Sequence, residues 1–256
     1  TLTRGEMTVQ RVMTASGRSD ITGVGYVPEG HAEHAGARLT EGPLRGELHA
    51  VLQGGSLAGN AQLQQDEAGV WGIQGDPTDA AFLVAEHKLG SLGSGDEGDT
   101  EREDAERFER LGEIPFTSQR KMMSVLVVDR ADGSAHVLFS KGAPDVLLAH
   151  CTHARRDNAT VALDAGLRAQ VLGDVAAMAG DALRTLAVAR RTLAPDAQIP
   201  DDAANAAALE QELEYLGTVG IIDPPREDAA AAIAQAKKAG IRVIMITGDH
   251  PRTAAR

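Results

Sequence analysis

Residues Ile114 to Leu148 have the sequence IPFTSQRKMMSVLVVDRADGSAHVLFSKGAPDVLL, which carries the clearest local pattern in the chain. Two apolar runs rich in β-branched residues, Met123 to Val128 and His136 to Phe139, flank a segment with the composition of a hairpin turn. Pro144 then suits the first position of a helix, because the N–H that it lacks is not needed there. The stretch therefore predicts an antiparallel hairpin followed by a helix.

Both ends of this stretch of sequence carry side chains that suit a nucleotide. Phe116 offers an aromatic face, and the hydroxyl and cationic side chains between Thr117 and Lys121 follow it directly. At the other end, Lys141 and Gly142 precede the predicted helix, where a glycine admits a ligand close to the backbone and a helix N-terminus attracts phosphate. The alternative is that Phe116 belongs to the core and that the lysines are solvated.

Composition limits the classes of partner. The chain has 256 residues, of which 43% are hydrophobic and 3% aromatic, so a core must be built from aliphatic side chains. A net charge of -12 argues against nucleic acid or an anionic membrane surface as a partner. Cys151 is the sole cysteine, which excludes an internal disulfide and a cysteine-cluster metal site, and favours a reduced cytoplasmic setting. The apolar runs are far shorter than the roughly 20 residues of a membrane helix, so no membrane insertion is expected.

Further elements follow from periodicity. Apolar residues at helical spacing predict four helices, and Thr78 is the expected cap of the second. Continuous or alternating apolar runs predict four strands, and the last of these has the pattern of a parallel strand buried on both faces. The helices are Glu47 to Ala58, Asp79 to Leu89, Asp164 to Gly180 and Asp228 to Ala239. The strands are Val9 to Val12, a run that ends at Val188, Leu213 to Ile222, and Ile241 to Ile246.

Two segments are interpreted as loops without chemistry. Residues 22–44 are loop-like, and Gly23 to Tyr26 is a turn rather than a phosphate loop because no helix pattern follows it. His31 and His34 have the spacing of metal ligands but no third ligand nearby, so we expect no metal site. Residues 90–107 form a Gly-, Ser- and acid-rich loop that grades into a charged helix.

Five separated stretches resemble P-type cation pumps, in that family's order, and the sequence that follows Thr1 points to the calcium and sodium/potassium branch. The resemblance implies an α/β chain. A nucleotide-binding domain, residues 10–217, has an antiparallel sheet flanked by helices and is inserted into a partial haloacid-dehalogenase-like phosphorylation domain, residues 1–9 and 218–256. The stretches are Thr1 to Val9, Gly75 to Leu83, Ile114 to Val125 with Lys141 to Pro144, Asp223 to Arg226, and Thr247 to Asp249.

The same resemblance implies roles for individual residues. Phe116 would stack on adenine, and Asp79, which replaces the family's usual Glu, would accept a hydrogen bond from the adenine amino group. Arg184 would lie near the phosphates. The implied nucleotide-binding set also contains Ser118, Lys141, Gly142, Asp223 and Arg226. The implied phosphoryl-transfer set contains Thr247, Gly248 and Asp249.

For three of these residues the sequence leaves a structural alternative open. Arg184 could be an edge-strand cation paired with one of the many acids. Asp79 could be an ordinary acidic residue at a helix start, and Asp249 could be a helix cap.

The resemblance also implies an activity. ATP would bind this chain, Mg²⁺ would assist in the intact protein, and an aspartyl nucleophile upstream of Thr1 would accept the γ-phosphate. The chain itself would bind nucleotide without turnover. Transmembrane and actuator domains of the same polypeptide would be its partners, on the cytoplasmic side of the cell membrane. Two alternatives remain at this point, a cap-bearing phosphatase of the haloacid-dehalogenase type and a stand-alone nucleotide sensor.

Overall fold

The computed structural model describes residues 2–90 and 100–244. Helices and strands alternate irregularly along the chain, and the long strands come in its second half. The strands are β1 (Thr8–Met13), β2 (Arg18–Ile21), β3 (Ala32–His34), β4 (Ala37–Arg38), β5 (Gln62–Gln65), β6 (Trp71–Gln74), β7 (Phe108–Ile114), β8 (Met122–Asp129), β9 (Ala135–Gly142), β10 (Cys151–Arg156), β11 (Ala159–Ala162), β12 (Arg184–Leu193) and β13 (Leu213–Ile222). The helices are α1 (Pro43–Leu57), α2 (Pro77–Gly90), α3 (Thr100–Arg107), α4 (Pro144–Ala149), α5 (Ala165–Gly180), α6 (Ala203–Leu209) and α7 (Glu227–Lys238).

One large sheet organises these elements. Its main order is β4-β3-β2-β1-β13-β12-β9-β8-β7, and neighbouring strands along this path are antiparallel. The β10–β11 hairpin joins through a parallel pairing of β10 with the start of β13. β5 and β6 form a separate hairpin. The predicted hairpin over residues 123–139 is confirmed as β8 and β9, and α4 follows it as expected.

The sheet buries a core on each face. On the α1–α2 face, helices α1 and α2 cover a cluster that includes Leu48, Phe82, Val125 and Val219. On the α4–α5 face, α4 and α5 cover a second cluster that includes Leu147, Val171, Ala189 and Tyr215. The predicted mixed α/β class, with a large antiparallel sheet flanked by helices, is therefore confirmed. The predicted division into two domains stays a prediction.

Three local predictions are wrong. Residues 22–44 are not all loop, because β3 and β4 pair as short strands within them. Thr78 is not the cap of α2, because its own N–H donates to Asp76 Oδ1 at 2.7 Å. Ile241 to Ile244 form no strand and are largely exposed, as no neighbouring strand lies beside them in the described part of the chain. Residues 245 and 246 of that prediction lie outside the described residues.

Within residues 2–90 and 100–244, no helix combines the length and the apolar composition that crossing a membrane requires. The same residues contain no cluster of three or more carboxylate, imidazole or thiol side chains placed to hold a metal ion. His31 and His34 instead have protein partners. His31 Nε2 lies 2.9 Å from Glu33 Oε1, and His34 Nδ1 lies 2.7 Å from the carbonyl oxygen of Arg18.

Candidate nucleotide site

One end of the sheet collects most of the predicted nucleotide-binding residues. β8 begins there at Met122, just after the turn that carries Phe116, and β9 ends there at Gly142, which pairs with Met122. β12 begins at the same end with Arg184, and β13 finishes beside it. Strand direction alone therefore brings together residues that are far apart in the sequence.

Lys141 is buried rather than solvated. Its side chain extends from β9 toward α1 and α2. Its ammonium donates to Asp79 Oδ1 at 2.6 Å and to the carbonyl oxygen of Gly55 at 3.2 Å. The nitrogen also lies 5.3 Å from the ring centre of Phe82. Burial lowers the pKa of Lys141, and the charge and hydrogen bond of Asp79 oppose that shift. Lys141 thus holds β9 against helices α1 and α2.

Asp79 is the partner that makes this burial tolerable. It lies in the first turn of α2, where a carboxylate also suits the helix dipole. Its second oxygen, Oδ2, accepts from the backbone N–H of Asn60 at 3.0 Å. Both oxygens therefore already have protein partners. A contact between Asp79 and the adenine amino group stays a prediction, and it would have to use a remaining lone pair.

Asp76 organises the start of α2. Its side chain accepts from the backbone N–H of Thr78, and its carbonyl oxygen accepts from Ala80. Burial raises the pKa of Asp76, but the hydrogen bonds from Thr78 and the charge of Lys141 outweigh burial, and the net pKa lies below its usual value. Asp76 is therefore the true cap, and it belongs to the same charged group as Lys141.

Phe116 is the opposite case, because 60% of it is exposed. It stands in a turn whose residues 115–119 are all exposed. The turn closes through a hydrogen bond from Lys121 N to Thr117 O at 2.7 Å, and Lys121 has a φ of 53°. Ser118 is exposed in the same turn. An aromatic face without a core to cover it is free to stack on a flat ring.

The guanidinium of Arg120 is bonded within the protein rather than available to a ligand. Its guanidinium forms an ion pair with Glu210 and donates to the carbonyl oxygen of Pro115 at 2.8 Å. Glu210 also accepts from Ser124 Oγ at 2.5 Å. Arg120 therefore fastens the turn that presents Phe116.

Gly142 and α4 have structural reasons for their sequence. A Cβ at Gly142 would lie 2.5 Å from the carbonyl oxygen of Lys121, so packing alone excludes a side chain. α4 covers the face opposite to Lys141, since Leu147 and Leu148 pack with Ala187 and Ala189. The sequence interpretation that combined Lys141 with the N-terminus of α4 as one phosphate site is therefore wrong. Whether Gly142 lines a ligand pocket stays a prediction.

Arg184 shares the face of Lys141. Val188 pairs with Lys141, and residues 184, 186 and 188 alternate onto one face of β12. Arg184 is exposed, and its guanidinium makes no hydrogen bond or ion pair within the part of the chain that the structure describes. Its position leaves the guanidinium available to an anion.

Asp223 and Arg226 lie past the end of β13 and hold that segment against the residues that precede β1. Asp223 Oδ1 accepts from Gly5 N at 2.8 Å, and Arg226 Nε donates to Thr3 O at 3.2 Å. Backbone bonds from Arg4 N to Pro224 O and from Arg226 N to Leu2 O complete the connection. Thr247, Gly248 and Asp249 lie outside the described residues.

Two cavities lie near the site without enclosing it. A groove of about 870 Å³ runs between β7 and residues 195–201, and a smaller cavity of about 220 Å³ lies between the end of α1, α2 and α3. Neither is lined by Phe116, Lys141 or Arg184. These three residues share an end of the sheet rather than an enclosed pocket.

The sequence interpretation missed the glycines that let α1 approach Lys141. A Cβ at Gly59 would lie 3.2 Å from Lys141 Nζ, and one at Gly55 would lie 2.1 Å from the ring of Phe82. Glycine lowers helix stability, so the pair Gly54-Gly55 inside a predicted helix was a usable signal of close packing.

Comparison with known proteins gives consistent matches. Residues 47–228 match the family described as P-type ATPase, cytoplasmic domain N. The chain is 33% identical to a calcium-transporting ATPase of Bacillus subtilis, 34% to the cation-transporting ATPase pma1 of Synechocystis, and 36% to the probable cation-transporting ATPase F of Mycobacterium tuberculosis. Each match covers 99% of this chain, which spans 27%, 26% and 26% of those relatives' lengths.

Proposed function

Because this chain belongs to the P-type ATPase family, as its cytoplasmic domain N, we propose that it binds ATP and that the whole protein uses ATP to transport a cation. The matched relatives are calcium- or cation-transporting ATPases by name, and this supports a cation as the transported species. The transmembrane and actuator domains would then be partners in the same polypeptide, with this domain on the cytoplasmic side of the membrane.

The proposal rests on one arrangement, in which two exposed side chains lie on either side of a buried ion pair. Phe116 and Arg184 are both exposed, and Lys141 with Asp79 lies between them in strand order. β8, which follows the Phe116 turn, and β12, which begins at Arg184, are separated by one strand and therefore lie roughly 10 Å apart across the sheet. An aromatic ring and a guanidinium at the same end of these strands suit the base and the phosphates of one nucleotide.

Each residue would then have a separate task. Phe116 stacks on the base, and Ser118 offers a hydroxyl from the same exposed turn. Arg184 binds phosphate oxygens. The ion pair between Lys141 and Asp79 fixes α2 against β9, so these two elements do not shift when a ligand binds. Because the Lys141 ammonium already has two protein partners, its effect on the phosphates is long-range rather than a direct contact.

Phosphoryl transfer would take place beyond the described residues. In the whole protein, an aspartate carboxylate attacks the γ-phosphorus, the bond to the β-phosphate oxygen breaks, and ADP leaves; water later hydrolyses the aspartyl-phosphate. Thr247, Gly248 and Asp249 would assist that step. Mg²⁺ would enter with the nucleotide and offset the repulsion between the carboxylate and the phosphates. In the family the aspartyl nucleophile belongs to an Asp-Lys-Thr-Gly stretch, which this 256-residue sequence does not contain, so we expect the chain to bind ATP without turnover.

The connection to the phosphorylation domain would be the paired segments at Leu2 to Gly5 and Asp223 to Arg226. β1 and β13 both continue through the sequence-based boundaries at residues 10 and 217, although their pairing has a register shift between Val9 and Arg11. We therefore place the junction just beyond their paired ends, where Thr3 forms a bridge with Pro225.

Calorimetric titration of ATP into the chain tests the proposal. We expect saturable binding that falls about tenfold in Arg184→Gln, since hydrogen bonds between charged groups contribute more than neutral ones. Arg38→Gln is the matched control, because Arg38 is exposed at the far edge of the sheet on β4. No binding at millimolar ATP, or equal losses in the two variants, would contradict the assignment.

A further inference from the structure

The connection between β2 and β3, residues 22–31, is a fastened loop rather than a loose one. Thr22 N donates to His31 O at 2.9 Å, and His31 N donates to Thr22 Oγ1 at 2.8 Å. Gly23 and Gly25 have φ angles of 78° and 77°, which favour glycine. A Cβ at Gly23 would lie 2.1 Å from the carbonyl oxygen of Glu29. The loop therefore presents its middle residue, Tyr26, in one defined direction.

Tyr26 connects two parts of the molecule. Its ring packs on a small cluster formed by α2 and the β5–β6 hairpin, with Leu63, Leu83 and Val84. Its hydroxyl donates to the carbonyl oxygen of Gly5 at 3.2 Å. Burial and then the charges of Glu6, Asp223 and Asp76 raise the pKa of Tyr26, so the hydroxyl keeps its proton and remains a donor. One side chain thus ties α2 to the segment that precedes β1.

Gly5 is held from its other side as well. Its N–H donates to Asp223 Oδ1 at 2.8 Å, and its φ of 76° makes a sharp bend at this point. The same loop also contacts the start of β1, because Gly25 N donates to Thr8 Oγ1 at 3.0 Å in a buried bond. The residues that lead out of the sheet are therefore clamped between Tyr26 and Asp223.

Asp76 links Tyr26 to the candidate nucleotide site. It caps α2, its pKa responds to Lys141, and its own charge acts on Tyr26. Asp79, three residues later on the same helix, holds Lys141. Because the Tyr26 ring also packs on Leu83 and Val84, α2 connects the Lys141–Asp79 ion pair to the segment at Gly5 through direct contacts.

We propose that Tyr26 is a positioning residue that sets the direction in which Leu2 to Gly5 and Asp223 to Arg226 leave the sheet. It would set the direction from which the nucleotide site approaches the part of the protein that receives the phosphate. This inference rests on the proposed function, because it concerns delivery of a nucleotide bound at the Lys141 end of the sheet.

The test uses the full-length ATPase and Tyr26→Phe, which removes the hydroxyl and keeps the ring. We expect ATP affinity within about twofold of wild type, while the rate of phosphoenzyme formation at saturating ATP falls about fivefold, the usual effect of one hydrogen bond. Amide exchange at Gly5 should quicken about tenfold as the clamp loosens.

Tyr215→Phe is the matched control. It also removes a tyrosine hydroxyl, but this one is buried and bonds Thr218 Oγ1 at 2.8 Å instead of contacting Gly5. It should lower the unfolding midpoint without a change in the phosphorylation rate. If Tyr26→Phe behaves in the same way, with Gly5 exchange unchanged, Tyr26 is structural and the inference fails while the proposed function stands. Absence of ATP binding in the wild-type protein would overturn both.

Discussion

The ammonium nitrogen of Lys141 lies 2.6 Å from Asp79 Oδ1, and this ion pair joins β9 to the first turn of α2. The two residues are 62 positions apart in the sequence. Their side chains keep only 5% and 13% of their exposed area. A buried charge that loses its partner costs far more than the pair contributes, so this contact should govern the local geometry of the candidate site.

Asp79→Asn should destabilise the chain strongly. The amide cannot neutralise the buried Lys141 ammonium, and we expect a loss of about 3 kcal/mol in the free energy of unfolding, measured with urea. Asp145→Asn, at an exposed position in α4, should change it by no more than about 0.5 kcal/mol. The double variant Asp79→Asn with Lys141→Met should recover most of the loss. Equal effects of Asp79→Asn and Asp145→Asn would show that the pair has no structural role.

Phe116→Ala should weaken ATP binding without weakening the fold. Loss of a base-stacking aromatic typically costs about 1–3 kcal/mol of binding free energy, or roughly 5- to 150-fold in affinity. Because Phe116 is 60% exposed, the substitution should change the free energy of unfolding of the chain by no more than about 0.5 kcal/mol. A fluorescent ATP analogue in competition with ATP measures the affinity. The control is Leu111→Ala, a 43% exposed residue on β7, which should leave affinity unchanged.

Gly55→Ala should destabilise the chain although alanine favours helices. The added methyl would lie 2.1 Å from a ring carbon of Phe82, and overpacking of this kind costs about 1–3 kcal/mol. Gly173→Ala in α5 is the matched control, because no atom lies within 4 Å of its added Cβ. That variant should gain up to about 1 kcal/mol from helix propensity. Thermal unfolding distinguishes the two, and a gain in both would contradict the close approach of α1 and α2.

Lys88 should make the stability depend on alkaline pH. It is 1% exposed, and burial lowers the pKa of Lys88 from 10.5 to about 8. Between these values the unfolded chain binds more protons than the folded chain, so stability rises with pH in that window. Lys88→Met should therefore be more stable than wild type by about 3 kcal/mol at pH 7, with the advantage shrinking from pH 8 to 10.5. Lys238→Met, at an exposed position, should give a flat difference. A wild-type-minus-variant curve that is also flat for Lys88→Met would rule out the buried amine.

Long elements could be predicted from the sequence because periodic burial leaves a periodic pattern. The helix over Asp164 to Gly180 and the strand over Leu213 to Ile222 have nearly the predicted bounds. Short strands could not be predicted. β5 has the sequence QLQQ and buries a single residue, Leu63, so neither alternation nor β-branched side chains marks it.

The candidate site was harder to predict than the fold. The family resemblance pointed to Phe116 and Arg184 as nucleotide-binding residues, but the sequence gave no means of knowing that Lys141 turns away from α4 and into the α1–α2 face. That outcome depends on a partner brought near only by folding. The strand predicted at Ile241 to Ile246 failed for a related reason, since a parallel strand is stable only beside neighbours, and the described residues supply none there.

Chemical-shift mapping of the isotope-labelled chain during an ATP titration tests the central claim most directly. The account predicts that the amide signals of Phe116, Ser118 and Arg184 shift together with one dissociation constant, and that signals of the β3–β4 hairpin, such as Arg38, stay in place. Shifts confined to the groove between β7 and residues 195–201, or no shift at the Phe116 turn at millimolar ATP, would contradict it.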